Sequence, residues 1–132
     1  LIINNMAEPS GLDPQTITGL SESHIIAALF EGLVNYDPKD LHPIPGVAES
    51  WEISPDGKTY TFHIRTNAKW SDGFPLKAQD FVKSWHHTLK PETGSQYNYQ
   101  LYPIKNAQAF AEGKHADFSE VGVHAVGFAD ID

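Results

Sequence analysis

Cysteine is absent from the 132 residues, so the chain has neither a disulfide framework nor a thiol nucleophile. Basic residues are scarce: nine lysines and arginines stand against seventeen aspartates and glutamates, the net charge is −8, and Arg65 is the only arginine. Nucleic-acid binding leaves a basic stripe on a protein, so this composition speaks against a nucleic-acid partner. No apolar run approaches the roughly 20 residues that a transmembrane helix needs.

Targeting signals are missing as well. A signal peptide has a basic start, an apolar centre and a small-residue cleavage site, whereas this chain opens on the strand-like LIINN. It closes on VGVHAVGFADID, which resembles a strand with nothing after it. We interpret both ends as cut and the chain as a fragment of a longer protein. Its length is typical of one domain and can bury a core without disulfides or metal.

Two segments have clear local patterns in the first half of the chain. Apolar residues at helical spacing (Ile26, Leu29, Phe30 and Leu33) predict a helix over residues 21–33 that ends near Gly32. Residues 47–65 alternate in character on either side of an Asp-Gly turn, which predicts a β-hairpin. Trp51 and Phe62 are expected to share the inner face of that hairpin.

The segment KWSDGFPLKAQDFVKSW holds two of the three tryptophans and predicts a turn followed by an amphipathic helix. The apolar positions of this helix are Ala78, Phe81, Val82, Trp85 and Leu89. Lys77 is a poor residue at its start and is expected to cost about 1 kcal/mol of helix stability. The tryptophans, Trp51, Trp70 and Trp85, have apolar neighbours, so we expect all three to lie in the core.

The remaining segments complete a mixed pattern. Residues 33–46 predict a short strand and then a proline-rich loop, residues 91–114 two short helices broken at Tyr102–Pro103, and residues 121–127 a strand. This order of strands and helices predicts an α/β or mixed α+β architecture.

No catalytic or metal site emerges from the residues. The seven histidines form no metal-binding motif, the carboxylates lack the order of a calcium loop, and there is no nucleophile elbow or phosphate-binding glycine loop. We therefore expect no enzyme activity, no metal and no cofactor. One segment, SQYNYQLY, places three tyrosines in a polar context, where they could line a ligand groove or bind a protein partner.

Six motifs in order carry a resemblance to a known family: LDP, LFEGL, PGVAESWEIS, YTFHIR, AKWSDGFPLKAQDFVKSW and GVHAV. Together they resemble the N-terminal part of the oligopeptide-binding proteins of bacterial ABC importers. This group of solute-binding proteins also includes dipeptide- and nickel-binding members. The resemblance runs through nearly the whole chain.

The resemblance implies a periplasmic-binding-protein-like fold of type II, in which two lobes close on the ligand and a small extra domain lies beside the groove. Members run to roughly four times this length, beyond one domain. Residues 1–32 would begin the first lobe, and residues 33–132 would form most of the small extra domain, truncated at its C-terminal end. Trp70 and Trp85 would then be packing anchors of that small domain.

The same resemblance implies a function in transport. The whole protein would capture oligopeptides in the periplasm, or on the outer face of the cytoplasmic membrane with or without a lipid anchor, and would deliver them to a membrane permease. Within the family the alternative is a receptor for dipeptides, nickel or another small solute. Outside the family the alternative is a standalone protein-interaction module that uses the Tyr97–Tyr102 face.

Four residues match ligand-contacting positions of the family: Thr18, Gly19, Leu20 and Tyr97. Leu20 would offer main-chain groups to an extended peptide, and Tyr97 would line the groove. Relatives often carry an acidic residue where Thr18 stands, which affects the charge preference of that pocket. Most side-chain pockets would lie beyond residue 132. The fragment alone is therefore expected to bind peptides weakly or not at all and, with exposed apolar surface, to self-associate.

Overall fold

The computed structural model of the chain describes residue 5 and residues 7–114 and 117–131. In chain order its helices and strands are α1 (Leu20–Leu29), β1 (Val34–Tyr36), β2 (Pro43–Pro45), β3 (Ala48–Ile53), β4 (Tyr60–Ile64), α2 (Ala78–Leu89), α3 (Ala107–Ala111) and β5 (Asp130–Ile131). Short 3-10 turns cover Pro91–Thr93, Asn98–Leu101 and Phe118–Glu120. This mixture of helices and strands confirms the predicted fold class. The strand predicted over the first five residues lies outside the described residues apart from Asn5.

The predicted hairpin is confirmed as the antiparallel pair β3–β4. Trp51 pairs directly with Phe62, and the centroids of their rings lie 6.5 Å apart, so both side chains project from one face as expected. The turn between the strands is closed by Gly57, whose φ of +71° is a left-handed conformation that glycine adopts without strain. β5 adds to the other edge of β4, which makes β4 the central strand of a three-stranded sheet.

The proline-rich loop predicted before the hairpin is in part a strand. β2 pairs antiparallel with β1, and Pro43 and Pro45 stand opposite Tyr36 and Val34. A proline cannot donate to a strand ladder, but an edge strand tolerates it when its N–H position faces away from the partner. Prolines argue against a central strand and not against an edge strand, so the loop predicted from them missed β2.

The strand predicted over residues 121–127 is wrong. The burial alternates as expected, since Val121 and Val123 are buried while Gly122 and His124 are exposed. The backbone, however, forms no strand here: the Gly122 N–H donates to the carbonyl of Lys105 at 2.9 Å, and Ala125 makes an isolated bridge to Ile131 of β5. Alternating polarity reports which side a residue faces and cannot show whether the backbone has a strand beside it. The strand forms further on, at Asp130–Ile131.

Helix α2 is the main support of the core. It begins at Ala78 and ends at Leu89 as predicted, and its apolar side packs towards α3 and the three-stranded sheet. The residues buried in this core come from the three-stranded sheet, α2, α3 and the loops beside them: Val47, Ile64, Ala68, Ala78, Val82, Leu89, Ala107, Phe110, Val121, Val123 and Ile131. The two short helices predicted after α2 are confirmed as the 3-10 turn Asn98–Leu101 and α3, with the break between them where Pro103 lies.

The expectation of three buried tryptophans is wrong. Trp70 is 43% exposed, and Trp51 and Trp85 are only half-buried. Trp85 does pack against the core, with its ring 6.3 Å from that of Phe81. Trp70 instead lies on the surface of the turn, and its indole Nε1–H donates to Oδ2 of Asp80 at 3.2 Å. A polar contact holds this indole in place, which hydrophobic pattern alone cannot reveal.

Asp80 also explains why Lys77 is tolerated before the helix. Its Oδ2 accepts the main-chain N–H of Lys77 at 3.0 Å, while the N–H of Ala78 donates to the carbonyl of Phe128 at 3.0 Å. Two main-chain donors at the helix start are thereby satisfied without a side chain from the cap position. The cost expected from Lys77 is offset by these neighbours.

Replacing Asp80 by alanine is expected to lower the free energy of unfolding by about 1 kcal/mol, since the Lys77 N–H loses its acceptor and the helix loses an anion in its first turn. Trp70→Phe is the matched control, because it removes the indole donor and leaves the carboxylate in place. Urea unfolding of the three proteins measures the effect. A larger loss from Trp70→Phe than from Asp80→Ala would contradict the capping role.

Candidate functional site

Thr18, Gly19 and Leu20 form the entry to α1. Gly19 is extended (φ −89°, ψ 153°) and precedes the helix, and Leu20 is its first residue. Thr18 and Leu20 are exposed, and Leu20 is 75% accessible to solvent although it is strongly apolar. The helix predicted here is confirmed, but it ends at Leu29, three residues before Gly32, because Phe30 is extended. Of the residues on its predicted apolar side, Leu29 and Phe30 are exposed.

A buried carboxylate fixes the geometry of this entry. Oε1 of Glu22 accepts both the main-chain N–H and the hydroxyl of Ser10, each at 2.8 Å, and Glu22 is only 6% exposed. The hydrogen bond from the Ser10 N–H, and then that from its hydroxyl, lower the pKa of Glu22 below its ordinary value. The carboxylate is therefore ionised at neutral pH and ties the preceding loop to α1.

The carboxylate of Glu22 lies close to the backbone of Gly19. A Cβ at this position would lie 2.1 Å from Oε2 of Glu22, closer than two such atoms can come. The Gly19 carbonyl in turn accepts the N–H of Ser23 at 3.0 Å and its hydroxyl at 2.8 Å. A larger residue at position 19 would therefore require the carboxylate of Glu22 to shift.

The main chain of Leu20 has a donor to offer. At the start of a helix the first N–H groups have no partner within the helix. No hydrogen bond from the Leu20 N–H occurs among the described residues, so this donor is available to a ligand. The arrangement can donate a hydrogen bond to a carbonyl or carboxylate of a ligand, with the positive end of the helix dipole in support.

Two sets of contacts, one before α1 and one after it, attach this part of the chain to the rest of the molecule. The side-chain amide of Gln15 donates to the hydroxyl of Ser84 on α2 at 2.9 Å and to its carbonyl at 3.2 Å. Beyond the other end of α1, Arg65 of the hairpin forms an ion pair with Glu31 and donates to the carbonyl of Gly46 at 3.3 Å. The only arginine of the chain therefore links α1 to the sheets.

Tyr97 makes no described contact with the entry to α1. It precedes the 3-10 turn Asn98–Leu101, is 44% exposed and packs edge-on against Tyr99 with ring centroids 6.1 Å apart. Among the described residues, no hydrogen bond or ring contact joins Tyr97 to Thr18, Gly19 or Leu20. Tyr97 and Tyr99 are exposed as the groove hypothesis requires, whereas Tyr102 packs against the core. The described contacts do not join Tyr97 and the entry to α1 into one site.

A cluster of potential metal ligands occurs in the loop between β1 and β2. Asp37, Asp40 and His42 bring one ligand atom each within 4.8 Å of the others. The local hydrogen bonds account for this: Oδ1 of Asp37 accepts the N–H of Lys39 at 2.8 Å, and Oδ1 of Asp40 accepts the N–H of His42 at 3.2 Å. The side-chain hydrogen bond from His42 lowers the pKa of Asp40. These three side chains lie close together because their own hydrogen bonds close the turn between β1 and β2.

A groove of about 910 Å³ lies elsewhere, on the three-stranded sheet. Its floor and walls come from the hairpin, from Trp85 of α2 and from two loops: Gly57, Lys58, Thr59, Tyr60, Phe62, Trp85, Pro103, Ile104, Lys105, Gly122, Val123, His124 and Ile131. None of the four predicted ligand contacts lines it. Sequence reasoning missed this groove, because it combines residues from distant parts of the chain.

His63 bridges the three strands of that sheet. Its Nδ1 lies 2.9 Å from Oδ1 of Asp130 on β5, and its Nε2 lies 3.7 Å from Oε1 of Glu52 on β3. The hydrogen bond with Asp130 is the main cause that raises the pKa of His63, and the charges of Asp130 and Glu52 add to it. The protonated ring can satisfy both carboxylates at once.

The stability of the sheet is expected to depend on pH through this histidine. A raised pKa in the folded state means that the contribution of His63 is complete below its unfolded pKa and is lost as the pH rises through the folded value. The difference in free energy of unfolding between the natural chain and His63→Gln should therefore shrink between acidic and mildly alkaline pH. A difference that grows as the pH rises would contradict the bridge, and Asp130→Asn should flatten the profile.

Fold and site together define a class of protein. Residues 42–127 match the middle part of the bacterial extracellular solute-binding proteins of family 5, and the chain belongs to this family. No helix in the described ranges is long and apolar enough to cross a membrane.

Among particular proteins, the chain is similar to the periplasmic oligopeptide-binding protein of Escherichia coli strain K12, with 48% identity over 96% of this chain and 23% of that protein. It is 39% identical to the dipeptide-binding protein of Bacillus subtilis strain 168 over 86% of this chain and 21% of that protein. The crystal structure of the Haemophilus influenzae oligopeptide-binding protein in complex with the peptide RPPGFSPFR matches with a TM-score of 0.88 at 43% identity, over 97% of this chain and 25% of that one. The chain thus spans about a quarter of the length of these relatives.

Proposed function

We propose that this chain is the N-terminal part of a receptor that captures oligopeptides outside the cytoplasmic membrane and delivers them to the permease of an ABC importer. The observation that carries this proposal is the similarity to oligopeptide-binding proteins over nearly the whole chain. The sequence identity is 48% to the Escherichia coli protein and 43% to the Haemophilus influenzae protein in the matching crystal structure. Relatives whose names state a location are called periplasmic, which supports a place outside the cytoplasm. In this role the protein binds and releases its ligand and catalyses no reaction.

The entry to α1 supplies the first half of the ligand site in this proposal. An extended peptide is bound mainly through its main chain, which gives affinity without reading the sequence. The N–H of Leu20, which has no partner among the described residues, is a donor of the kind that such a ligand needs, and the Glu22–Ser10 hydrogen bonds hold the helix start in a fixed position. Thr18 is uncharged, so its own side chain adds no charge preference to this pocket. Tyr97 adds an exposed ring and hydroxyl from the small extra domain.

The chain divides in this proposal into residues 1–32, which begin the first lobe, and residues 33–132, which belong to the small extra domain. The division is supported by the start of the family match at residue 42 and by the change from α1 to the sheets at β1. Hinge closure of the two lobes of the whole receptor would enclose the peptide.

Calorimetric titration of the full-length protein tests the function. Tripeptides to pentapeptides of unrelated sequence are expected to bind with micromolar or tighter affinity, whereas the 132-residue chain alone binds them weakly or not at all. Dipeptides and deoxycholate serve as competing ligands, because relatives are named for each of them. Full-length protein that binds only one of these, and no longer peptide, would overturn the oligopeptide proposal. The self-association expected of the chain alone stays a prediction, to be checked by light scattering in the same samples.

A further inference from the structure

The entry to α1 belongs to the loop of residues 10–22, whose ends are joined by the hydrogen bonds between Ser10 and Glu22. Inside the loop, the carbonyl of Asp13 accepts the N–H of Ile17 at 3.2 Å, which closes a turn just before the predicted ligand contacts. The loop is therefore held together by its own hydrogen bonds. Its position relative to the rest of the molecule depends on the contacts that attach it from outside.

Gln15 supplies the described attachment of this loop. The hydrogen bonds described for residue 5 and residues 7–30 stay within that stretch except two, and both run from the side-chain amide of Gln15 to Ser84 on α2. The amide donates to the Ser84 hydroxyl at 2.9 Å and to the Ser84 carbonyl at 3.2 Å. Apolar packing adds no second attachment, because the described core and the side chains packed against it begin at Leu33.

Both ends of this contact are themselves held in place. Ser84 lies on the exposed side of α2, the helix whose other side is buried in the core through Val82 and Leu89. At the other end, the main-chain N–H of Gln15 donates to Oδ1 of Asp13 at 2.9 Å, so the backbone of Gln15 is fixed within the loop. The contact therefore joins the loop to the helix that supports the core.

We propose that Gln15 is a positioning residue of the peptide site, which holds the loop on α2 and thereby fixes the main-chain N–H of Leu20 in the place where a ligand meets it. The inference rests on the proposed function, because the position of this donor matters only if a peptide binds there. Gln15 itself touches no ligand and acts through Leu20. A donor that is fixed before the ligand arrives loses less conformational freedom on binding, and the difference appears as affinity.

Gln15→Ala in the full-length protein is expected to weaken the binding of a tripeptide about fivefold in calorimetric titration, within the range of one net hydrogen bond. Gln108→Ala is the matched control, since the Gln108 amide donates locally to Glu112 at 2.8 Å, and its affinity should stay within about twofold of the natural value. Equal affinities of the natural protein and Gln15→Ala would overturn the role of Gln15. A natural full-length protein that binds no tripeptide would instead overturn the proposed function, and this role with it.

Two further comparisons separate positioning from a general loss of structure. In a Leu20→Pro protein, which lacks the donor, Gln15→Ala is expected to change the affinity by less than about twofold, because Gln15 acts through that donor. An equal loss with and without the Leu20 N–H would overturn the role. Ser84→Ala removes the hydroxyl acceptor and should weaken binding about twofold, and the conservative variant Ser84→Thr should restore the affinity. A Ser84→Thr protein that binds no better than Ser84→Ala would contradict the contact with Gln15.

Discussion

Replacing Leu89 by alanine lowers the free energy of unfolding of the 132-residue chain by about 2–5 kcal/mol, the range observed for buried leucines that leave a cavity. Leu89 is completely buried at the end of α2, where the helix meets the rest of the core. A small domain has only a few kcal/mol of net stability, so this one change can leave much of the chain unfolded at 25 °C.

The control for this result is another leucine at the end of another helix. Leu29 closes α1 and is 66% exposed, so Leu29→Ala removes the same atoms with little loss of buried surface. Its expected effect is within about 0.5 kcal/mol. Urea unfolding followed by circular dichroism compares the two variants, and equal losses would show that the core is not where the structure places it.

Replacing Leu20 by proline weakens peptide binding to the full-length protein about tenfold, which corresponds to about 1.4 kcal/mol and to one net hydrogen bond. Leu20 is the first residue of α1, a position at which proline is favoured because the missing N–H has no partner in the helix. The extended Gly19 before it suits a following proline. The substitution therefore removes the proposed donor and leaves the helix intact.

Leu20→Ala separates the main chain from the side chain. It keeps the N–H and deletes the exposed apolar group, so we expect peptide affinity within about twofold of that of the natural protein. Unfolding temperatures of both variants should match that of the natural protein. If alanine weakens binding as much as proline does, the side chain and not the main chain makes the contact.

Sequence patterns predicted the elements whose signals are local. The hairpin follows from alternation around an Asp-Gly turn, and α2 follows from apolar residues at helical spacing, so both are confirmed with their expected faces. Residues 121–127 alternate just as clearly, yet they form no strand, because pairing depends on a neighbour that the local pattern does not contain. Trp70 was placed in the core on its apolar character, whereas its hydrogen bond to Asp80 holds it at the surface.

The candidate site depends on contacts between distant residues. Resemblance to the family located Thr18, Gly19 and Leu20, but it could not show why a glycine lies between the other two. A Cβ at that glycine would meet the carboxylate of Glu22, which is buried against Ser10 twelve residues earlier in the chain. A glutamate in the first turn of a helix is usually solvated, so its sequence position gave no sign of this role.

The most direct test of the account is a crystal structure of the full-length protein with a bound tripeptide. We predict that the main-chain N–H of Leu20 lies about 2.7–3.2 Å from a carbonyl or carboxylate oxygen of the ligand. The ligand should lie outside the sheet groove lined by Trp85, because none of the four predicted contact residues lines that groove. A tripeptide bound in that groove, or bound with the Leu20 N–H exposed to solvent, would contradict the assignment of the α1 entry as part of the peptide site.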